Sequence, residues 1–263
     1  MQERHKDGNL YFRELAYSTE KYIIPYIRKY YEISTNTRIL EIGCGAGGNL
    51  EPFIKMGCHV TGFDQDKKRI KEAREILDAE NNSNVNLFAE NVFNVKDLGL
   101  FDIIFVRDVI EHITDKEYFF EHIKRFLAVD GIIYFAFPAW YMPFGGHQQL
   151  CKSKILSTLP YYHILPKTLY KVILRLFKEP KDTIDELIDI KNCRLTVEQF
   201  RKLAKKSNYY IINETLYFIN PHYEIKFKLK PRLLSPVIRK IPFVRNFFAT
   251  SCFYILKSKK ATS

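Results

Sequence analysis

The chain has 263 residues, of which 46% are hydrophobic and 27% charged, and carries a formal net charge of +11. That length suffices for one α/β domain with a full core plus additions, and the composition excludes long disorder. Five scattered cysteines without a C-x-x-C pair exclude a disulfide framework and a zinc ribbon, and fit a reduced cytosolic setting. The charged start, 1–7, does not read as a signal sequence, and the longest uncharged stretch, 131–150, carries prolines and glycines and reads as strand and loop.

In chain order, residues 10–32 read as a helix with Leu10, Leu15, Tyr22, Ile23 and Tyr26 on one apolar stripe and Pro25 bending or breaking it. Strand and helix patterns then alternate: strand 37–42, helix 48–56, strand 59–63, helix 67–79, strands 85–88 and 101–106, helix 116–127, strand 131–137. Such alternation predicts a parallel sheet with helices on both faces. After Pro138 the pattern lapses, then returns with a helix over 196–207 that opens on the capping box Thr196-x-x-Gln199. Strands follow at 209–212, extending toward Phe218, and at 251–256. Within the interruption, 167–178 reads as a basic amphipathic helix, either a lid packed on the core or a helix lying on a membrane interface.

The first strand runs into Glu41-Ile42-Gly43-Cys44-Gly45-Ala46-Gly47-Gly48, a turn where glycines let the backbone bend tightly and a ligand approach. The second strand ends at Asp64, 21 residues after Gly43, where a carboxylate can accept hydrogen bonds from both hydroxyls of a ribose. Gly43, Gly45 and Gly48 also satisfy G-x-G-x-x-G, so a nicotinamide-binding protein competes. Against it stands Glu41, whose charge would repel a pyrophosphate. The same position suits a cofactor with a cationic amino group and no phosphate, S-adenosylmethionine (SAM).

The ordered set E-I-G-C-G-A-G-G, V-T-G-F-D, F-D-I-I-F…D-V-I-E-H-I and Leu127–Ile133 resembles the class I SAM-dependent methyltransferases, in particular their small-molecule branch. The resemblance covers 35–138 well and 195–257 loosely. It implies an α/β, Rossmann-like doubly wound fold with a mostly parallel seven-stranded sheet, an antiparallel last strand inserted between its neighbours, and helical cap insertions. The expected division is an N-terminal helical lid (1–36), a SAM-binding core (37–138), a cap or substrate insertion (139–194) and a C-terminal part of the core (195–263) with a basic insertion at 220–248.

By the same resemblance, Gly43, Gly45 and Gly47 line the methionine and ribose, with Glu41 nearby. Asp64 takes the ribose, Gln65 edges the adenine, and Asn91 and Val92 occupy the adenine-binding positions. Asn91 departs from the family's aspartate but can still accept a hydrogen bond. Arg107 and Asp108 stand where the methyl group meets its acceptor. His112 is a candidate base or a packing residue. His147, in the aromatic and glycine-rich loop 138–149, is a candidate base for a hydroxyl or pins its loop with the neighbouring glutamines. Trp140, Tyr141, Gln148 and His163 either wall the acceptor or simply pack. No metal site is expected, since the histidines are dispersed in sequence.

The implied reaction is in-line transfer to the oxygen of a small or lipid- or glycan-linked acceptor, leaving S-adenosylhomocysteine (SAH). Residues 222–263 hold ten Lys or Arg against the single acid Glu224. That asymmetry fits peripheral contact with an anionic inner-membrane face, or a solvated basic tail. An RNA methyltransferase is the alternative, although the fourth strand lacks the N-P-P-Y motif that stacks a flipped base. A non-catalytic SAM-binding protein is a further alternative.

Overall fold

The central strands are near-continuous apolar runs buried on both sides, and each face of the resulting sheet carries its own layer of helices. In the computed structural model, which describes residues 8–259, the order is α1 (Gly8–Ser18), a π-helical turn (Thr19–Ile23), α2 (Ile24–Ile27), β1 (Arg38–Ile42), α3 (Glu51–Lys55), β2 (His59–Asp64), α4 (Lys67–Ile76), β3 (Val85–Ala89), β4 (Phe101–Arg107), α5 (Lys116–Lys124) and β5 (Leu127–Phe137). The second half adds α6 (Lys154–Thr158), α7 (Lys167–Leu176), α8 (Lys181–Asn192), α9 (Val197–Lys206), β6 (Tyr209–Ile219), α10 (Tyr223–Phe227), β7 (Arg232–Leu233), α11 (Pro236–Lys240) and β8 (Ser251–Ser258). The charged start at 1–7 lies outside the described residues, as do the first seven residues of the proposed first division and the last four of the last.

The sheet has eight strands in the order β3-β2-β1-β4-β5-β8-β6-β7. The first five are parallel, and β8 enters antiparallel between β5 and β6. The expected count of seven is corrected by β7, a two-residue edge strand too short to leave a periodic signal.

Along β4, Ile104 and Val106 face a cluster containing Phe119 and Phe120 of α5 and Phe200 of α9. Ile103 and Phe105 face the opposite cluster, with Ile27, Phe53 and Ile70 from the N-terminal half. The helix expected over 10–32, bent or broken at Pro25, is distorted there and ends at Ile27. Pro25 has no N–H to return to the preceding turn, and the π turn at Thr19–Ile23 widens the helix just before it. The helix expected from residue 48 starts at Glu51, because the glycine turn runs on to Leu50.

Residues 151–188 build a small third cluster from Cys151, Leu156, Tyr162, Tyr170, Leu174 and Leu187. Helix α7 buries Tyr170 and Leu174 there and leaves Leu169, Val172 and Leu176 exposed. Both readings of this helix thus keep a face: one packs, the other meets solvent. The two insertions leave the sheet after β5 and β6, parallel strands whose carboxyl ends share the edge with those of β1 and β4.

Phe200 is fully buried against Phe120, Phe135, Phe137 and Tyr254, joining α9 to the antiparallel end of the sheet. Replacing it by alanine is expected to cost about 3–5 kcal/mol of stability in denaturant unfolding, the range for emptying a phenylalanine site in a core.

Candidate active site

Strand β1 ends in a turn whose glycines take positive φ, +75° at Gly43, +54° at Gly45 and +83° at Gly47. Gly43 and Cys44 donate their amides to the Phe63 carbonyl, so the turn hangs on the tip of β2. The tip residue, Asp64, accepts from the Gly45 amide (2.8 Å) and from the Asp66 amide (2.9 Å). Each carboxylate oxygen keeps a further lone pair for an outside donor. Helix α1 crosses over the turn: a Cβ on Gly48 would lie 2.6 Å from the Phe12 carbonyl oxygen, so glycine is required for that approach.

Between turn and helix lies a cavity of ≈ 170 Å³. Tyr11, Phe12 and Leu15 line it from α1, Gly43, Gly45 and Asn49 from the turn, and Arg107 and Asp108 from the end of β4.

A buried polar network forms its floor. The Asn49 amide donates to Glu41 Oε1 (2.7 Å), and its carbonyl oxygen accepts from Thr19 Oγ1 (2.8 Å) and Arg107 Nη1 (2.9 Å). Arg107 Nη1 also donates to Ser18 Oγ (3.0 Å). Burial pushes the Glu41 carboxyl up to about 8, although the Asn49 hydrogen bond and Arg107 both pull it down. Its second oxygen, Oε2, has no hydrogen-bond partner. A buried acid with one free oxygen fits an incoming cationic amino group and does not fit a pyrophosphate.

Past β4 the chain carries a second set of polar groups. A Cβ on Gly43 would collide with Val109 Cγ2 at 2.4 Å, so the glycine turn and the segment 108–112 are in direct contact. Asp108 adopts a left-handed backbone (φ 54°), as does His147 (φ 56°). Such conformations are costly for non-glycine residues and cluster at functional sites. Although 47% of the Asp108 side chain is accessible, it stands in a cleft. Desolvation there raises its carboxyl, partly offset by the cations Arg107 and Lys226.

Glu111 is buried and its pKa is raised well above the usual carboxyl range, by desolvation first and then by the Asp108 charge. His112 is held below its usual value by burial and by Lys116. The His112 and His147 rings meet edge to face with centroids 4.8 Å apart. One ligand atom from each of Glu111, His112 and His147 lies within 4.8 Å of the others. The expectation of dispersed histidines is therefore corrected: 35 residues separate the two in sequence, and the fold joins them.

Three of the four residues considered for the acceptor wall are buried. Gln148 and His163 are fully buried, their side chains 2.9 Å apart, while His163 Nε2 lies 2.8 Å from the Trp140 carbonyl oxygen and Gln148 donates to the Pro143 carbonyl. Burial holds His163 at about 4, so the ring is neutral. Trp140 is buried, with its ring edge to face on His163. These residues frame the loop that presents His147 and do not line the cavity. Tyr141 is half-buried and stacks on Phe247 of the basic insertion.

Near the second strand tip, Gln65 is exposed, Val92 is buried and Asn91 is partly buried. The Asn91 side-chain oxygen caps the short turn Val92–Asn94 by accepting from the Phe93 amide.

A model of the methyltransferase domain matches residues 33–216. The chain belongs to the class I SAM-dependent methyltransferases. Among curated relatives it is 27% identical over 169 residues to a ubiquinone biosynthesis O-methyltransferase of Bartonella bacilliformis, covering 61% of this chain and 68% of that one. It is 31% identical over 101 residues to the enzyme of the same name from Pelagibacter ubique, covering 38% and 42%. The chain thus spans from two fifths to two thirds of the length of these two relatives. Its fold resembles that of the plantazolicin methyltransferase BpumL, crystallised with a desmethylPZN analogue and SAH (TM-score 0.57, 15% identity, 97% of this chain and 88% of that one). It also resembles a putative sarcosine dimethylglycine methyltransferase from Galdieria sulphuraria (TM-score 0.58, 15% identity, 90% and 84%).

Reading the sequence missed Asn49, Ser18 and Thr19, which join the N-terminal helix to the sheet. Asn49 directly follows the glycines, and a small amide at that point is the only local signal.

Glu41 binds a proton in the folded apo protein up to about pH 8 but, unfolded, only to about 4.5. The folded state holds more protons between these values, so Glu41 lowers stability as pH rises through that window. In thermal melts across the window, the wild type should lose stability relative to Glu41→Gln, and parallel pH profiles would show that Glu41 is not the buried acid described.

Proposed function

We propose that this chain transfers the methyl group of SAM to an oxygen of a small or lipid-linked acceptor. The observation that carries the reading is the meeting of two half-sites at Asp108. On one side is a cavity lined by Asn49 and Arg107, with the buried acid Glu41 behind Asn49, and on the other the His112–His147 pair. Bound SAM supplies a methyl group already activated on a sulfonium. Asp64 would hold the ribose hydroxyls, Gly43, Gly45 and Gly47 would let the chain pass close to the ligand, and Glu41 would compensate the amino group. Arg107 is a cation on the cavity wall suited to the methionyl carboxylate. Val92 and Asn91 would border the adenine beside Gln65.

Tyr11, Phe12 and Leu15 exclude water from the transfer path. His112, kept neutral by its surroundings, can accept the proton that a hydroxyl must lose, and His147 is placed to share that task. The ubiquinone biosynthesis relatives support an oxygen acceptor, and a hydroxyl on an apolar carrier fits the exposed surfaces.

Leu233, Val237 and Phe243 are each more than 60% exposed, among Lys228, Lys230, Arg232, Arg239 and Lys240. Tyr161 of the cap donates its hydroxyl to the Phe247 carbonyl, which joins the two insertions. Apolar side chains interleaved with cations fit an anionic bilayer surface, where burial and charge attraction add. Among the described residues no helix is long and apolar enough to cross a membrane.

Calorimetry should show SAM and SAH binding and no NADH binding, with Asp64→Ala weakening SAH more than about tenfold, roughly the loss of a hydrogen bond to a charged group. Binding of NADH instead would overturn the cofactor assignment. In flotation, vesicles containing phosphatidylglycerol should retain the protein and salt should release it. Equal recovery on phosphatidylcholine vesicles would remove the membrane reading.

A further inference from the structure

Residues 222–263 carry ten lysines and arginines and one acid, Glu224, and attraction to an anionic surface gives that acid no purpose. Its surroundings do. Glu224 lies on α10, at the start of the basic insertion, and its carboxylate accepts from three donors of the N-terminal helical segment. These are the Tyr17 hydroxyl at 3.0 Å, Lys21 Nζ at 2.6 Å and the Tyr22 hydroxyl. Lys21 also donates to the Tyr17 hydroxyl at 2.7 Å. The hydrogen bond from Lys21 holds the Glu224 carboxyl below its usual range, and the same bond raises the Lys21 ammonium. Beside it, His222 Nε2 lies 3.6 Å from Glu14 Oε2, and the His222 ring meets Tyr11 edge to face.

That convergence needs the π turn. At about 100° per residue, an α-helix would point Tyr17 and Tyr22 about 140° apart. The turn Thr19–Ile23 is closed by the Ile24 amide on the Thr19 carbonyl, five residues back, and so wide a turn brings side chains five apart toward one face. The same turn also works in the opposite direction. Ser18 Oγ accepts from Arg107, and Thr19 Oγ1 donates to Asn49, both part of the polar floor of the cofactor cavity. One widened turn of helix therefore joins the basic insertion to the cavity. Just before it, α1 carries Tyr11, Phe12 and Leu15 along the cavity wall.

We propose that Glu224 is a positioning residue for the cofactor: by fastening the π turn to α10 it sets how closely α1 covers the cavity. The inference rests on the reading of that cavity as the SAM site. Glu224 does not line the cavity and acts through Tyr17, Lys21 and Tyr22. Helix α10 is only five residues long, too short to hold its shape alone, so its placement comes from what it docks on. Coupling between two sites is reciprocal. A filled cavity therefore also fastens α10 and the start of the insertion, and a loosened α10 costs cofactor affinity.

The test is SAH calorimetry on the full chain with Glu224→Ala, Lys21→Ala and the charge swap Lys21→Glu/Glu224→Lys. Each single variant should weaken SAH at least about fivefold, the lower end of coupling between sites. The swap should return to within about twofold of wild type, as expected of two residues that act as one pair. Phe200→Ala, in the opposite core cluster, should keep wild-type SAH affinity at a temperature where it stays folded, which separates positioning from lost stability. Hydrogen exchange reads the reciprocal effect. SAH should slow exchange over 8–27 and 220–227 in the wild type, and over 8–27 alone in Glu224→Ala. Unchanged SAH affinity in Glu224→Ala would overturn the proposal, as would a swap that binds no better than the single variants. A wild type that binds SAH with no slowing over 220–227 would overturn the coupling and leave the cofactor reading standing. A wild type that binds no SAH would defeat that reading and the coupling with it.

Discussion

One buried amide, Asn49, holds the cofactor half-site together. It joins Glu41 at the end of β1, Arg107 at the end of β4 and Thr19 in the N-terminal helix. Three elements distant in sequence thus share one hydrogen-bonded centre under the glycine turn. In a low-dielectric interior such a network is worth having only if every member finds a partner. The atom left over, Glu41 Oε2, is where a ligand can complete it. The N-terminal helix, the buried acid and the cation of the cavity wall therefore stand or fall together, and a change at Asn49 would disturb all three.

The division of labour across the sheet follows from its topology. Strands β2, β1 and β4 bring their carboxyl ends to one edge, and the order in which strands are added across the sheet reverses between β1 and β4. Ligands of open α/β sheets bind at such a switch point. The long excursions after β5 and β6 rise from the same edge and meet where Tyr141 stacks on Phe247. In the proposed reading, cofactor recognition belongs to the sheet and acceptor choice to these insertions. The polar cluster Glu111–His112–His147 lies at their border, with two side chains from the core and one from the loop after β5.

What the sequence revealed was local. The unbroken apolar run Ile103–Val106 announces a strand buried on both faces, and the density of glycines after Ile42 announces a turn, because neither depends on distant partners. The fold class was legible for that reason. Features that need two remote segments left little trace. His112 and His147 looked scattered because their contact is made by a loop, and Gln148 and His163 looked like ligand residues because polarity alone does not tell a buried frame from a binding wall. Their burial is a packing outcome, visible only once Gly146 is seen pressed against His163. The two-residue β7 falls below the length at which any periodicity exists.

The most direct test of the central claim is a crystal structure of the protein with SAH. The amino group should lie toward Glu41 above the Gly43–Gly47 turn, with both ribose hydroxyls on Asp64 and α1 closed over the ligand. Well-ordered SAH bound elsewhere, with Glu41 Oε2 still unpartnered beneath an empty glycine turn, would contradict it.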